Sequence, residues 1–225
     1  MSRSVSIIEY KVQQADFFLG KLEGCGYEFF EAQCYADAFV SACRSITFSI
    51  QAVCNEVPGF ESWYAEEQKR MKADCLCAFF NNYRTASIHV GGTPVLAGAG
   101  KHGESRFFFM PTQDIPNVPE LDVVSACRAY FKSVVDLVFR LYSRFPTDLD
   151  DRWHFTEQHF VPRGLSIEDA EEALGYPRGW TRINGSEAEL NERWRVLRYS
   201  STVGPQIQEI FHKYLNQVVG GPDSP

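Results

Sequence analysis

The chain has 225 residues and a mass of 25.6 kDa, which is enough to bury a substantial core without disulfides or metals. Its 22 basic and 29 acidic residues give a net charge of -7, which excludes a generally basic protein that coats nucleic acid. A hydrophobic content of 44% excludes disorder as the main state, and no apolar run is long enough to span a membrane. Because the N-terminus lacks a signal-peptide pattern, we expect a soluble, cytoplasmic protein with no membrane partner.

Two helices are predicted in the first part of the chain. Apolar residues recur at helical spacing from Ala15 to Leu22, and the glycines at 24 and 26 end this first helix. From about Glu31 to Val53, steps of three and four residues draw one apolar stripe along a second helix. A Pro-Gly pair at 58–59 ends it.

A third and a fourth helix complete a predicted bundle. The third helix has an apolar face made of Tyr64, Met71, Cys75 and Phe79. It is predicted to end within 81–89, before the Gly-Gly pair at 91–92. The fourth helix follows an apolar seam over 124–141 and ends where a Phe-Pro pair interrupts the pattern at 145–146.

A β-hairpin insertion is predicted near 93–111, between the third and fourth helices. Two short apolar runs, at 94–97 and 106–109, flank a loop rich in glycine. The loop matches G-x-G-x-x-G over 98–103, but a strand-like run follows where a dinucleotide site needs a helix N-terminus. We therefore interpret it as a hairpin tip, whose Lys101 and His102 could still contact a ligand.

Shorter helices are predicted after Pro146. Capping boxes at Ser166 and Ser186 each open one of them, and an amphipathic pattern at 206–218 predicts the last. The sequence thus predicts a mainly α protein with an up-and-down four-helix bundle over 1–145, carrying the hairpin insertion. A C-terminal helical extension over 146–225 is predicted to pack on that bundle.

The seven cysteines predict neither a disulfide framework nor a zinc ribbon. Their number is odd and no two of them form a C-x-x-C pair. Cys75 and Cys77 alone could bind a soft metal, but buried thiols in a reducing compartment are the preferred interpretation. We therefore predict no metal and no cofactor.

Arg84 and His89 are the candidate catalytic residues. They combine a permanent positive charge with a titratable imidazole, a pair that can act on a phosphodiester. Five residues turn a regular helix by about 140°, so the two side chains do not share a helix face. Either the helix unwinds before His89, or the two residues reach a common cleft from its two sides. A second such pair, Arg152 and His159, is interpreted as part of an exposed segment.

The predicted second and third helices resemble those of the HEPN (higher eukaryotes and prokaryotes nucleotide-binding) superfamily, in its uncharacterised bacterial branch. The resemblance covers roughly 10–145 and rests on the segments 36–48 and 60–84 together with Arg84 and His89. Nuclease members of that family carry an Arg followed after four to six residues by a His. Thr85 departs from the pattern, since family members commonly have Asn directly after the Arg.

The resemblance implies a metal-independent endoribonuclease of the defence or toxin type. His89 would act as general base or acid on the ribose, and Arg84 would stabilise the charge on the phosphate. The implied partners are an RNA substrate, a second copy of the chain in a homodimer, and an antitoxin or regulatory protein.

Further polar residues are candidates for substrate binding. On the second helix Arg44 follows Asp37 and Ser41 on a similar face, which predicts a polar strip. Asn81, Asn82 and Thr85 lie beside Arg84. The alternative that the sequence leaves open is a non-catalytic HEPN-like protein that dimerises or binds a ligand, with His89 as a structural histidine.

Overall fold

The computed structural model describes residues 4–89, 91–98, 106–180, 186–201 and 204–223. The chain is mainly helical, as predicted. It forms two compact units, one of residues 1–137 with 213–215 and one of residues 138–212 with 216–225. The boundary between the two units falls within a single long helix, residues 123–144.

The first unit contains the helices that the apolar stripes predicted. They are α1 (Ser6–Gly24), α2 (Phe29–Cys54), α3 (Phe60–Ala73), α4 (Cys75–His89) and the first part of α5 (Val123–Arg144). α1 packs along α2 and α2 contacts α4. Four residues on one face of α1, spaced by three or four positions, have no exposed surface: Ile8, Val12, Ala15 and Leu19.

An aromatic cluster centred on Phe39 forms the core of this unit. The Phe39 ring has no exposed surface and makes edge-on contacts with Phe80 of α4 and with Tyr130 and Phe131 of α5. Phe80 also stacks on Tyr130, with the ring centroids 4.4 Å apart. The cluster therefore fixes the position of Tyr130 relative to α2 and α4.

The prediction of a single third helix is wrong, because the chain breaks at Asp74. This residue has an extended backbone, with φ -81° and ψ 118°, and its N–H donates to the Arg70 carbonyl at the end of α3. Its carboxylate accepts a hydrogen bond of 2.8 Å from the Cys77 backbone N–H at the start of α4. Asp74 thus ends one helix and caps the next, which is the usual role of Asp at a helix N-terminus.

Asp74→Ala is expected to destabilise the first unit by about 1 kcal/mol, because the Cys77 N–H loses its partner. Asp74→Asn retains a side-chain oxygen and is the matched control, expected to lose less than half as much. Urea unfolding followed by circular dichroism measures both. Equal losses in the two variants would show that Asp74 does not act as a cap.

The two apolar runs of the predicted hairpin form paired strands. β1 (Val95–Ala97) runs antiparallel to β2 (Phe107–Phe109), with Val95 opposite Phe109. Phe109 is buried and its ring lies 4.8 Å from that of Phe79. Residues 99–103 of the glycine motif, with Lys101 and His102, lie outside the described residues. At Gly98 a Cβ would collide with the Arg106 carbonyl oxygen, so close strand packing explains this glycine.

The second unit is built from shorter helices. They are the rest of α5, α6 (Pro146–Leu149), α7 (Asp151–His154), α8 (Glu157–Phe160), a 3-10 turn (Val161–Arg163), α9 (Ile167–Ala173), α10 (Glu187–Ser201) and most of α11 (Gln208–Leu215). The capping box at Ser166 is confirmed, with both of its hydrogen bonds present. At Ser186 the backbone N–H donates to the Glu189 carboxylate, which is one half of the predicted box. A buried apolar cluster, which includes Phe160, Trp194 and Leu197, forms its core.

Candidate functional site

The candidate catalytic pair lies on one uninterrupted helix. α4 continues through His89, so the helix does not unwind before this residue, and Arg84 and His89 point about 140° apart. His89 is exposed and Arg84 is half-buried. Neither side chain forms a hydrogen bond or ion pair with the described residues. In a single copy of the chain, the two side chains therefore leave the helix on different faces.

A cleft of about 400 Å³ lies in the first unit, lined by residues of α2, α3, α4 and α5. Three of the predicted substrate-binding residues line it: Arg44, Asn81 and Asn82. Thr85, Arg84 and His89 do not, and the Thr85 hydroxyl donates to the Asn81 carbonyl within α4. Arg44, Asn81 and Asn82 thus share a cleft to which Thr85 and the predicted catalytic pair do not contribute.

Two buried tyrosines line the cleft. Tyr64 and Tyr130 are only 6% and 5% exposed. The Tyr64 hydroxyl donates to the Thr47 carbonyl at 3.3 Å, but the Tyr130 hydroxyl makes no hydrogen bond with the described residues. Burial raises the pKa of both tyrosines, and the positive charge of Arg44 partly opposes the rise. Both hydroxyls therefore keep their protons at neutral pH. The proton of Tyr64 is already donated to Thr47, so the Tyr130 hydroxyl is the one that can donate to a ligand.

Arg44 is held against the wall of the cleft by its own helix. Its Nη1 donates to the Thr47 hydroxyl at 3.2 Å, and the guanidinium lies 4.4 Å from the centroid of the Phe48 ring. A guanidinium has five N–H donors, and no carboxylate pairs with this one among the described residues. Arg44 is thus a fixed positive charge with donors left for a ligand.

The rim of the cleft carries more donors and no acid. Lys72 and the amides of Asn81 and Asn82 are exposed and make no side-chain hydrogen bond with the described residues. The cleft lining includes no Asp or Glu. Cys77 also lines the cleft, where burial raises the pKa of its thiol to about 12, so it stays protonated. The chemistry offered is the donation of hydrogen bonds from a positively charged surface.

Three residues of the cleft are not predicted as site residues from the sequence: Tyr64, Lys72 and Tyr130. Tyr64 was assigned to the core face of the third helix, and Lys72 lies among the charges of the opposite face. Both residues lie on α3, and eight helical positions leave their side chains only about 80° apart, so both can line the cleft. Nothing in the spacing of Arg44 and Asn81 predicts that residues of α3 line the same cleft.

Asp37 does not extend a polar strip into the cleft. Its carboxylate accepts a 2.6 Å hydrogen bond from the Tyr83 hydroxyl, which also lies 3.0 Å from the Thr93 hydroxyl. Burial raises the pKa of Asp37, and hydrogen bonds from Tyr83 and Ser87 oppose the rise. This polar group therefore joins α2 to α4 and stands apart from Arg44, although both lie on one helix.

The second Arg-His pair also has separate surroundings. Arg152 binds Asp150, whereas the His159 ring lies 4.2 Å from that of His154. Burial lowers the pKa of both histidines, which favours their neutral forms. His159 is 9% exposed, so the interpretation of this segment as exposed is wrong for its histidine.

Neither a metal site nor a membrane span is found in the part of the chain that the structure describes. No group of three His, Cys, Asp or Glu residues there is placed to hold a metal ion. No described helix is both long and apolar enough to cross a membrane. Comparison of the chain with protein-family models, curated proteins and solved structures gives no match.

Proposed function

We propose that this protein binds a phosphate-bearing small molecule in the cleft formed by α2, α3, α4 and α5. The observation that carries the proposal is the lining of the cleft, which has two cationic side chains and no carboxylate in a chain of net charge -7. An acidic protein repels anions over most of its surface. A local cluster of positive charge therefore favours the binding of an anion in this cleft.

Hydrogen bonding supports an oxyanion as the ligand. Arg44 offers guanidinium donors in a half-buried position, where charge-assisted hydrogen bonds are stronger than in bulk water. The Tyr130 hydroxyl, the amides of Asn81 and Asn82 and the Lys72 ammonium add donors without partners among the described residues. These donors face the cleft, where the oxygen atoms of a phosphate group can accept hydrogen bonds from them.

Arg44→Gln is expected to weaken the binding of inorganic pyrophosphate by about ten- to hundredfold, because one charge-assisted interaction is lost. Isothermal titration calorimetry on the full chain measures the dissociation constant. Tyr130→Phe removes only the hydroxyl and is expected to weaken binding by about two- to tenfold with no loss of stability.

Arg70→Gln is the matched control for the change in charge. Arg70 lies on α3, is exposed and does not line the cleft, and its ion pair is with Glu67. This variant is expected to bind pyrophosphate as the wild type does. The proposal fails if Arg70→Gln and Arg44→Gln weaken binding equally, or if the wild type does not bind pyrophosphate.

A second candidate function is metal-independent cleavage of RNA by a HEPN-like homodimer. It is supported by Arg84 and His89, which have no partners among the described residues and lie beside Ile88, an apolar side chain that is 52% exposed. Because the pair diverges by about 140°, an active site would combine Arg84 of one copy with His89 of another. Packing of α1 along α2, and of α2 against α4, supports the bundle that this proposal requires.

His89→Ala is expected to abolish RNA cleavage if His89 transfers a proton in the reaction. Wild type and variant are incubated with mixed RNA in EDTA, and the products are resolved on a denaturing gel. His159→Ala, which alters a histidine of the second unit, is the control for contaminating nuclease. Equal cleavage by the wild type and His89→Ala, or no cleavage by either, removes His89 from a catalytic role.

A further inference from the structure

Two histidines of the second unit lie in contact at the edge of its apolar core. His154 ends α7 and His159 lies on α8, and the centroids of their rings are 4.2 Å apart. Both rings also contact Phe160, which packs against Trp194. α9 and α10 contribute apolar side chains to the same cluster: Ile167, Ala170, Trp194 and Leu197. The histidine pair thus connects α7 and α8 to this core.

The His159 ring has a buried nitrogen without a hydrogen-bond partner. Its Nδ1 is buried and forms no hydrogen bond with the described residues. A neutral imidazole has one N–H donor, whereas an imidazolium has two N–H donors and a positive charge. Protonation would therefore require a buried N–H group to have an acceptor that the described residues do not supply, which is unfavourable. The packing around His159 accommodates the neutral ring.

Three charged groups face the histidine pair: Asp148 of α6, Asp151 of α7 and Arg163 of the 3-10 turn. Arg163 donates to the His159 carbonyl, which holds its positive charge beside the pair. Burial is the largest effect and lowers the pKa of both histidines. Arg163 lowers both values further and His154 lowers that of His159, whereas the two carboxylates oppose the change. The folded chain therefore favours two neutral rings.

We propose that His154 and His159 form a proton-sensitive switch, which holds α7 and α8 on the core of the second unit while both rings are neutral and releases them when the rings are protonated. Each step adds one proton from solvent to an imidazole nitrogen and breaks no covalent bond. Two imidazolium groups at this distance repel each other and Arg163, and they are better hydrated after release. The switch is separate from the phosphate cleft, which lies in the first unit.

Mild acid is expected to operate the switch. A histidine in an unfolded chain has a pKa of about 6.5. Because the folded pair has lower pKa values, the released state binds more protons at a pH between the folded and unfolded values. The contribution of the pair to stability is therefore complete above about pH 6.5 and is lost as the pH falls toward the folded pKa values.

The first test is urea unfolding of the full chain at about pH 7.5 and about pH 5, on either side of the ordinary histidine pKa. Tryptophan fluorescence follows the second unit, which contains Trp153, Trp180 and Trp194. The unfolding equilibrium constant of the wild type is expected to rise at least about tenfold on acidification. His159→Gln and His154→Gln each remove one titrating ring and are expected to reduce this rise at least about threefold.

His212→Gln is the matched control, because His212 belongs to the same unit but is exposed. This variant is expected to show the full rise of the wild type. Equal rises in the wild type and all three variants would refute the switch, since acid would then act through other groups.

Two measurements on the wild type need no variant to fold. Hydrogen–deuterium exchange, corrected for the intrinsic effect of pH, is expected to show that segment 151–160 loses protection in mild acid. Retention of that protection would show that α7 and α8 are not released. Proton NMR is expected to show that both rings titrate below the ordinary histidine pKa of about 6.5, and titration of either ring at or above this value would overturn the proposal.

Discussion

Phe39→Ala is expected to destabilise the first unit by about 3 to 5 kcal/mol, the usual cost of removing a fully buried phenylalanine ring. Phe39 has no exposed surface and contacts rings from two other helices, so its removal leaves a cavity that the neighbours cannot easily fill. Urea unfolding of the purified protein, followed by circular dichroism, measures the loss in the free energy of unfolding.

The same substitution is expected to weaken pyrophosphate binding. Phe39 packs edge-on against Tyr130, which lies at the bottom of the cleft. Without Phe39, the Tyr130 side chain is no longer held in one position. Fixing it when pyrophosphate binds costs conformational entropy, which weakens binding.

Phe30→Ala is the control for Phe39→Ala. Phe30 lies at the start of the same helix but is 75% exposed, so its removal is expected to change the free energy of unfolding by less than about 0.5 kcal/mol. If Phe39→Ala cost no more than Phe30→Ala, the aromatic cluster would not be the core of this unit.

Asp150→Asn is expected to destabilise the second unit by about 3 to 5 kcal/mol, because it breaks a buried ion pair and leaves a charge without its partner. The Asp150 side chain has no exposed surface and accepts hydrogen bonds from Arg152 Nε at 3.0 Å and Nη2 at 2.7 Å. It also accepts from the Arg152 backbone N–H at the start of α7. Asparagine keeps the shape but presents an N–H₂ group to the guanidinium.

The position of Arg152 makes this pair hard to replace. A Cβ at Gly204 would lie 2.8 Å from the guanidinium carbon of Arg152, and one at Gly221 would lie 3.1 Å from Nη1. The guanidinium thus packs against two stretches of backbone that have no side chain. Thermal unfolding of Asp150→Asn is compared with that of Asp148→Asn, an exposed carboxylate two residues away that is expected to have little effect. Similar losses in the two variants would contradict a structural role for the pair.

Helix content could be predicted from the sequence because helical periodicity is a local property. The spacing of apolar residues from Ala15 to Leu22 and over 124–141 reports which face of each helix is buried. The hairpin strands were also predicted, since two short apolar runs on either side of a glycine-rich loop favour antiparallel pairing. The break at Asp74 escaped prediction because the apolar pattern continues across it, although an Asp three residues before Cys77 is itself a capping signal.

The candidate sites were harder to predict, because each combines residues that are distant in the sequence. The sequence predicts Arg44, Asn81 and Asn82 as substrate-binding residues. Nothing in the sequence indicates that Tyr64 and Tyr130 lie beside them. The ion pair between Arg198 and Asp223 in the second unit was not predicted at all, since only the fold brings these two residues together.

The sequence by itself determined a mainly helical chain, its helix-forming segments and an overall negative charge, because these depend on composition and on spacing along the chain. Only the tertiary structure decided that Arg84 and His89 diverge on one intact helix, while Arg44 lies with Asn81 and Asn82 in a cleft without acids. The physical reason is that charge and hydrogen bonding in a site depend on distances across the fold. Those distances are set by side-chain packing between helices, such as that of Phe39 against Phe80 and Tyr130.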